Sequence, residues 1–565
     1  MKELFKSDGP GITSIIPGSE NTPGMPFLQG EVPPPSTSRD IWQPPRRSRK
    51  KLTYGTIATL LAVPVILTGC YVLFFSKWLT SSVPVTFHSS KCPFHLGSGL
   101  IDGRTVKCGF LTVPEVRDDV HSASIQLAVA IFKAPQPKVD SIPMLYLAGG
   151  PGGEILGSLA PFITSQNLKD FTMGRDFILL DQRGAGYSKP ALTCHEFTDS
   201  QKSTPGQKTS PDSAIAWYQQ PGKACHDRLE RSGVSLSAYT TIDNAMDVHD
   251  LIHALGYEQV NLYGVSYGTR LAQTVMRLFP GDLRSVILDS PLPTQNNLFT
   301  TYPAMMQHAY DLLLNSCAIN SRCHAKYPQL TSVFYKLIND LNAKPVTIQD
   351  AKYGSMLLNG DLFASWIFSA MYVTKYIPIL PDVIMLASKG DYTFISKVYS
   401  YLIIRNDIAM GVYYSVECGE DLAFSTKQGL ARAANALRPE LRRAGVASLL
   451  SAYSVCQSWR QSPVPDVQKQ PVTSSIPTLV LSGEYDPITP SSNGQTVEKT
   501  LSKSYFFLFP AGHGVYLSGT CPDLVISTFM ANPSQRPNES CVTAQRPFFS
   551  VSAKISSYKG ESQAP

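Results

Sequence analysis

The stretch Val260-Asn261-Leu262-Tyr263-Gly264-Val265-Ser266-Tyr267-Gly268 leads from a short apolar run into a helix-like pattern at Thr269–Leu278. A strand, a sharp turn and a helix in that order are the context in which Gly-x-Ser-x-Gly forms a nucleophile elbow. Glycines on both sides of Ser266 let the backbone turn tightly and leave room around the serine. The pattern therefore predicts that the Ser266 hydroxyl projects into a cleft as a candidate nucleophile.

Strand-like segments alternate with helix-like segments after about residue 90. The apolar runs that predict strands are Ser124–Ala134, Pro143–Leu147, Phe177–Leu180, Val260–Tyr263, Val286–Asp289, Thr478–Leu481 and Tyr505–Phe509. Helical patterns between them include Asp243–Leu255 and Thr269–Leu278. This alternation predicts an α/β fold with a mostly parallel sheet covered by helices. Between about residues 291 and 471 the sequence is helix-rich and aromatic, which predicts a helical cap inserted before the sheet is completed.

A serine nucleophile requires a base to take its proton and an acid to orient that base. Three histidines follow Ser266, and of these only His513 comes just after a strand-like run, with small neighbours on both sides. The acid is expected on the loop after the preceding strand, where Glu484 and Asp486 are both available. We favour Asp486, because the adjacent Pro487 stiffens the turn that presents it, and Glu484 stays the alternative.

Negative charge that develops on a substrate oxygen requires two backbone N–H donors. The amide of Tyr267, directly after the serine, is the first candidate. The second is expected in the glycine-rich loop 147–153, which follows an early strand, and we choose Gly150 as the donor. An ion pair between Arg183 and Asp181, after the next strand, is expected to support this loop.

The N-terminal part of the chain carries a membrane-spanning pattern. Residues 52–76 contain no charged side chain and, as a helix, would span about 37 Å, enough to cross a hydrocarbon core of about 30 Å. A buried core helix and a cleaved signal peptide are the alternatives, but a Pro-, Ser- and Gly-rich tail precedes the run. The basic run 46–51 lies before the span and only Lys77 follows it, which predicts a cytosolic N-terminus. We expect a single-pass type II membrane protein whose remaining chain is lumenal or extracellular.

The cysteines are consistent with an oxidising compartment. Ten of the eleven follow the predicted span, and this even number indicates five disulfides, with free buried thiols as the alternative. Pairing of nearest neighbours along the chain is our working assignment, since the sequence does not select a connectivity. Asn538-Glu539-Ser540 is an N-glycosylation acceptor in the same part of the chain.

Six sequence blocks together closely resemble the proline iminopeptidase and tripeptidyl aminopeptidase family of serine peptidases. The blocks are Gly149–Gly153, Asp181–Gly184, Gly264–Gly268, Ile287–Asp289, Gly483–Pro487 and Gly512–Gly514. The resemblance runs from about residue 92 to residue 541 and implies an α/β-hydrolase fold with a helical cap, here preceded by a single transmembrane helix. We accordingly divide the chain into a disordered cytosolic tail (1–51), a transmembrane signal anchor (52–76), a stalk (77–90), the hydrolase core (91–290 and 472–550), the cap (291–471) and a disordered C-terminal tail (551–565).

The resemblance implies a serine exopeptidase of the aminopeptidase type, acting near the free N-terminus of a peptide through a triad of Ser266, Asp486 and His513. The reaction would proceed through an acyl-enzyme intermediate, with no metal or cofactor. An esterase or lactonase that acts on a small molecule with the same triad is the alternative, because fold and nucleophile do not select the substrate.

The cap is where the resemblance implies recognition of the substrate. Family members use cap carboxylates to hold the substrate amine, and Glu420 is the matching position in this chain. Glu417 and Asp421 compete with it, and a solvated acidic turn is the alternative interpretation of the whole segment. The same stretch implies a disulfide between Cys418 and Cys456.

Several function classes are not expected from the sequence. Nothing in it resembles a metal-ligand cluster, and the glycine-rich loop 147–153 lacks the Gly-Lys-Ser/Thr of a phosphate-binding loop. The net charge of +6 is modest, and much of it lies in the run 46–51 beside the predicted span, so a nucleic-acid partner is not expected.

Overall fold

The computed structural model describes residues 83–138, 141–203, 211–350, 353–403, 407–459, 461–544 and 549. Its strands are β1 Thr86–Ser90, β2 Val106–Pro114, β3 Ser124–Phe132, β4 Met144–Leu147, β5 Phe177–Leu180, β6 Val260–Val265, β7 Leu283–Asp289, β8 Val346–Asp350, β9 Gly354–Leu358, β10 Thr478–Gly483 and β11 Ser504–Phe509. Nine of them form one sheet in the order β1-β2-β3-β5-β4-β6-β7-β10-β11, and β8 pairs with β9 in a separate hairpin.

The sheet is mostly parallel. Strands β5, β4, β6, β7, β10 and β11 pair in parallel, whereas β1, β2 and β3 form an antiparallel edge that joins β5. In a parallel arrangement all carboxyl ends lie at one edge of the sheet, where α/β proteins place their ligand sites. The loops after β4, β5, β6, β7, β10 and β11 therefore meet at that edge.

The helices lie before, between and after these strands. Within the described residues they are α1 Leu168–Thr172, α2 His195–Ser203, α3 Pro211–Arg231, α4 Thr241–Ala254, α5 Tyr267–Leu278, α6 Leu298–Ile319, α7 Ser321–Lys326, α8 Leu330–Ala343, α9 Gly360–Met371, α10 Leu380–Ala387, α11 Thr393–Ile403, α12 Met410–Glu420, α13 Lys427–Ala433, α14 Pro439–Trp459, α15 Ser491–Glu498, α16 Thr520–Ala531 and α17 Ser540–Ala544. Between β7 and β10 the chain forms α6 to α14 and the β8–β9 hairpin, and we call this region the cap.

Both faces of the sheet are buried. In β3, Leu127 and Val129 belong to the hydrophobic cluster on one face, and Ala128 and Ala130 belong to the cluster on the other. Successive strand residues point to opposite faces, so a sheet covered by helices on both sides needs continuous apolar strands rather than alternating ones. The cap has a third cluster of its own, built around Trp366 and Phe363.

The predicted mostly parallel sheet is confirmed, and each of the seven predicted strands lies in it. Strands β1 and β2 were not predicted, and the predicted stalk 77–90 is wrong at its C-terminal end, because Thr86–Ser90 pairs with β2. That edge strand is short and largely exposed, so it carries no apolar run. The β8–β9 hairpin in the cap was missed for a similar reason, since most of its residues are not fully buried.

Five disulfides join the ten cysteines that follow residue 90. The pairs are Cys92–Cys108, Cys194–Cys225, Cys317–Cys323, Cys418–Cys456 and Cys521–Cys541. They are the nearest-neighbour pairs along the chain, and they include the cap pair that the family resemblance implies. Each closes a short loop, the longest separation being 38 residues.

The predicted membrane anchor at 52–76 and the two predicted disordered tails (1–51 and 551–565) lie outside the described residues. Within the part of the chain that the structure describes, no helix combines the length and the apolar character needed to cross a membrane.

Candidate active site

Ser266 lies on the sharp turn between β6 and α5. Its backbone has φ +58° and ψ −124°, a strained conformation for a residue with a side chain. Two hydrogen bonds hold the turn: the Ser266 amide donates to the carbonyl of Asp289 (3.0 Å), and the Thr269 amide donates to the carbonyl of Ser266 (2.9 Å). The serine therefore lies on the sharp strand-to-helix turn that the sequence predicts, and its role as the nucleophile stays a prediction.

The two glycines of the motif are required by close packing. A Cβ atom on Gly264 would lie 2.4 Å from the carbonyl oxygen of Gly268, and one on Gly268 would lie 2.1 Å from the carbonyl oxygen of Leu147. Any side chain at either position would force the strand and the helix apart. The absence of a side chain at Gly268 thus allows the elbow to pack against the end of β4.

The glycine-rich loop after β4 lies directly against the serine. A Cβ atom on Gly149 would be 2.8 Å from Cβ and 3.4 Å from Oγ of Ser266, so the loop lies too close to the serine to accept a side chain at this position. Gly150, the predicted donor, follows immediately and has a positive φ of 120°. Tyr267, the other predicted donor, is the first residue of α5, where the amide has no acceptor within the helix. Both amides stay predictions as oxyanion donors.

Asp486 and His513 form a pair on the loops after β10 and β11. Nδ1 of His513 lies 2.8 Å from Oδ2 of Asp486. The amides of Ile488 and Thr489 donate to Oδ1 of Asp486 (3.0 and 2.9 Å), and the Thr489 hydroxyl donates to Oδ2 (2.7 Å). Burial by itself would raise the pKa of Asp486, but His513 and the Thr489 donors hold it below its ordinary value. The carboxylate is therefore ionised and aimed at the imidazole. Glu484, the alternative acid, has no such contact with His513 among the hydrogen bonds of the described residues.

Asp289, at the end of β7, connects the serine to the histidine loop (Pro510–Gly514). Its carbonyl accepts the Ser266 amide, and its carboxylate accepts the amides of Val515 (2.8 Å) and Tyr516 (3.0 Å) just beyond that loop. The Tyr263 hydroxyl donates to the same carboxylate (2.8 Å). Burial raises the pKa of Asp289, and these donors counteract the rise. One residue thus fixes the nucleophile and the end of the histidine loop against the same strand.

Two further contacts bring the two loops together. The amide of Gly514 donates to the hydroxyl of Ser290 (2.9 Å), and a Cβ atom on Gly514 would lie 3.9 Å from Val265, the residue before the nucleophile. The sequence analysis did not assign a role to Asp289, which it named only as the last residue of the block Ile287–Asp289. A carboxylate at the carboxyl end of the strand next to β6 was the sequence feature that could have indicated this role.

The predicted ion pair between Arg183 and Asp181 is wrong. The Arg183 guanidinium is fully buried and binds Asp247 on α4 through two hydrogen bonds (2.6 and 2.7 Å). Asp181 instead accepts the amides of Ile155 and Leu156, just after the glycine-rich loop. The two side chains bind different partners, and Asp181 supports the loop without the arginine.

The cap contacts the histidine loop. The ring of Tyr372, just after α9, lies 5.0 Å from the His513 ring, and the His513 amide donates to the Tyr372 carbonyl (3.1 Å). The amide of Gly512 donates to the Thr374 hydroxyl (3.0 Å). Groups from the cap therefore border the catalytic histidine candidate.

The acidic segment of the cap, Glu417–Asp421 at the end of α12, is fully buried, which excludes the interpretation as a solvated turn. Glu420, the predicted amine anchor, accepts the amide (2.7 Å) and the hydroxyl (2.8 Å) of Thr241, the first residue of α4. Asp421 is paired with Arg270 on α5 and with Lys469. Each oxygen of Glu420 and of Asp421 therefore already accepts a hydrogen bond from the protein.

Glu417 differs from its two neighbours. Its Oε2 atom is buried and has no hydrogen-bond partner. Burial raises the pKa of Glu417, Asp421 and Glu420 add to the rise, and Arg270 and Lys469 oppose it. Among the described acids of the cap segment, Glu417 is the one that retains an open acceptor.

Comparison with known proteins places this geometry in a known fold. Residues 142–317 match the family model described as alpha/beta hydrolase fold, and residues 444–541 match the one described as TAP-like protein. Serine protease Hip1 of Mycobacterium tuberculosis is 24% identical over 464 residues, which cover 76% of this chain and 86% of that protein. A tripeptidyl aminopeptidase of Streptomyces coelicolor is 31% identical over 195 residues, but these cover only 33% of this chain and 35% of that protein.

Among solved structures, proline iminopeptidase of Mycobacterium smegmatis aligns with a TM-score of 0.37 and 16% identity, over 75% of this chain and 98% of that one. The family matches and the peptidase-named relatives together support one conclusion. The chain is a hydrolase with the α/β-hydrolase fold and a TAP-like C-terminal segment.

Proposed function

We propose that the protein is a serine exopeptidase of the aminopeptidase type, which hydrolyses peptide bonds near free N-termini. The observation that carries the proposal is the pairing of His513 with a buried, ionised Asp486, on a loop that shares Asp289 with the strained Ser266 elbow. The peptidase-named relatives favour a peptide over other acyl substrates.

In the proposed reaction Ser266 attacks the carbonyl carbon of the scissile peptide bond while His513 takes the serine proton. Asp486 keeps Nδ1 of His513 occupied, so that Nε2 is the basic nitrogen, and it stabilises the imidazolium that forms. The amides of Tyr267 and Gly150 donate to the tetrahedral oxyanion. His513 then returns its proton to the departing amine, which leaves an acyl-enzyme. Water, deprotonated by His513, hydrolyses the ester and frees Ser266.

The free N-terminus would be held by the acidic segment. Glu420 is the position that the family resemblance favours, but both of its oxygens already accept hydrogen bonds from Thr241. Glu417 has an open, buried oxygen, and a substrate ammonium group would supply the cation that this carboxyl group lacks. Tyr413 lies one turn earlier on the same helix α12, and burial raises its pKa, with Glu417 adding to the rise. We therefore assign the anchoring role to Glu417 rather than to Glu420.

The test compares five substrate classes with the purified full-length protein: free and N-acetylated aminoacyl amides, free and N-acetylated tripeptidyl amides, and simple esters. We expect cleavage of free amides and at least tenfold weaker cleavage of acetylated ones, because an acetylated amine cannot pair with a carboxylate. Equal cleavage of free and blocked amides would eliminate the amine anchor. Turnover of esters without turnover of amides would favour the small-molecule esterase or lactonase.

Variants of the two glutamates separate their roles. Glu417→Gln should reduce the preference for free over acetylated amides, whereas Ser425→Ala, a matched change near the end of the acidic segment, should leave that preference unchanged. If Glu420→Gln abolished the preference and Glu417→Gln did not, the family position would be correct and our assignment wrong.

We also propose that residues 52–76 anchor the chain in a membrane and that the hydrolase lies on the lumenal or extracellular side. The five disulfides and the exposed Asn538 acceptor support this location. Expression in mammalian cells followed by endoglycosidase digestion provides the test. A mobility shift that disappears in Asn538→Gln is expected, and an unglycosylated chain that is digested by protease from the cytosolic side would exclude the topology.

A further inference from the structure

Two histidines and an aspartate form a compact cluster away from the candidate active site. His249 and His253 lie one turn apart on the same face of α4. Asp282 ends the short 3-10 turn Pro280–Asp282 between α5 and β7. Its two oxygens face the two rings: Oδ2 is 2.6 Å from Nδ1 of His249, and Oδ1 is 3.2 Å from Nε2 of His253.

The carboxylate of Asp282 is largely buried, whereas the rings are accessible. The Asp282 side chain is 10% exposed, the His249 side chain 34% and the His253 side chain 51%. A buried carboxylate requires a compensating positive charge. Within the described residues no lysine or arginine pairs with Asp282, and the two imidazoles are its only ion-pairing neighbours. A cation bound between the two rings and this carboxylate would compensate its charge.

The donor set suits a borderline divalent cation. One donor atom from each of the three residues lies within 4.8 Å of the other two. Two imidazole nitrogens and one carboxylate oxygen, with a fourth position left for water, are a donor set that Zn²⁺ takes. Bonds of about 2.0–2.2 Å in a tetrahedron place donors roughly 3.3 Å apart. The donor atoms lie within 4.8 Å of one another, so their separations need to change by no more than about 1.5 Å.

A ring contact restrains one of the donors. The ring of His249 stacks on Phe279 at a centroid distance of 4.2 Å and an interplanar angle of 13°. This packing keeps the His249 ring edge directed towards Asp282. The His253 ring, which is half exposed, packs edge-on against the His249 ring at a centroid distance of 4.4 Å. The cluster therefore combines two imidazoles in contact with each other and one buried anion.

We propose that His249, His253 and Asp282 bind a Zn²⁺ ion, with water completing the coordination. The site lies beyond the C-terminal end of α5, and Ser266 precedes its N-terminal end; the twelve residues of α5 span about 18 Å. The ion therefore takes no part in the reaction at Ser266. It joins the last turn of α4 to the connection between α5 and β7, and it braces the two elements that hold the nucleophile and Asp289.

Zinc binding is measured by calorimetric titration of the full-length protein with ZnCl₂ after removal of metal with a chelator. We expect one zinc ion per chain at this site. His253→Ala should weaken that binding at least tenfold, because the exposed ring contributes little to folding but supplies one of three ligands. His324→Ala, which removes an exposed histidine on α7, is the matched control and should bind zinc like the parent protein. Binding that is absent, or unchanged in His253→Ala, overturns the proposal.

A second measurement distinguishes this site from zinc held by the catalytic histidine candidate. Zinc should raise the Tm of the parent protein, since a ligand that binds only the folded state stabilises it. The increase should persist in His513→Ala and disappear in both His253→Ala and Asp282→Asn. If His513→Ala removes the increase and His253→Ala retains it, zinc binds at the active site and our assignment is wrong. Neither result depends on the proposed peptidase activity.

Discussion

We call the edge of the sheet that carries Ser266, Asp289, Asp486 and His513 the catalytic edge, after its proposed role. This edge and the acidic segment of the cap both contact α5, yet their buried carboxyl groups are stabilised in different ways. At the catalytic edge each carboxylate is surrounded by donors: Asp486 accepts from a loop and faces His513, and Asp289 accepts from Tyr263 and two amides. In the acidic segment Asp421 pairs with Arg270 and Lys469, Glu420 accepts from Thr241, and Glu417 keeps an open oxygen.

The difference has a physical meaning. A carboxylate whose lone pairs are all occupied by fixed donors has one position and one protonation state, which suits the orientation of a base. A buried carboxyl group without a partner is costly in the free protein and becomes favourable when a cation arrives. The donors at the catalytic edge are therefore organised in advance, whereas in our proposal the acidic segment gains its partner only when the substrate amine binds.

The largest expected effect comes from removing the nucleophile. Ser266→Ala should lower kcat for any substrate by about 10⁶-fold, because no other hydroxyl occupies the elbow. Steady-state and burst-phase kinetics measure the loss. Ser527→Ala, on α16, is the control and should retain full activity. Residual turnover in Ser266→Ala within tenfold of the parent protein would move the nucleophile elsewhere.

Next in size is the acid that orients the histidine. Asp486→Asn should lower kcat by about 10⁴-fold with little change in KM, because the amide would favour the wrong imidazole tautomer. Glu484→Gln, two residues earlier, should change kcat by less than about threefold, since Glu484 does not hold His513. Comparable losses in the two variants would return Glu484 to consideration as the acid.

Asp289→Asn tests whether a residue that only positions the histidine loop affects kcat as the acid Asp486 does. The amide group would face two backbone N–H donors, from Val515 and Tyr516, and would push the histidine loop away. We expect a fall in kcat of about 10²-fold with KM nearly constant, the effect of a displacement of about 1 Å. A parallel fall in Tm with unchanged kcat would show that Asp289 is structural only.

The smallest expected effect concerns the stability of the cap. Because the pKa of Glu417 is raised in the folded protein, the folded state holds a proton that the unfolded chain has released. This contribution to stability is present below the ordinary carboxyl pKa and is lost as pH rises through the folded pKa. Glu417→Gln should remove that decline and raise Tm by a few degrees at neutral pH relative to the parent protein. Thermal unfolding from pH 4 to pH 8 measures it, and parallel curves for the two proteins would contradict a raised pKa.

The sequence was most informative where structure depends on neighbours along the chain. Strands β6 and β7 are rich in apolar residues and almost wholly buried because both faces of the sheet are covered. The glycines beside Ser266 are dictated by close contacts within the elbow and with the end of β4. Sequence signals failed where residues are exposed or where the partner lies on another element. The edge strand Thr86–Ser90 is largely exposed. The predicted partner of Arg183 was Asp181, two residues away, whereas its partner in the structure is Asp247 on α4.

The sequence by itself determined the sharp strand-to-helix turn at Ser266, the positions of Asp486 and His513 after late strands, and the spacing that lets neighbouring cysteines pair. These features are local, because turn geometry and apolar periodicity act over a few residues. Only the tertiary structure decided which buried charge meets which donor: Asp289 beneath both catalytic loops, Glu420 on Thr241, and Glu417 without a partner. Those assignments depend on the order of strands in the sheet and on how α12 packs against α4 and α5. Hydrogen bonds and ion pairs act over a few ångströms in space, and no property of a single residue or of its sequence neighbours specifies that distance.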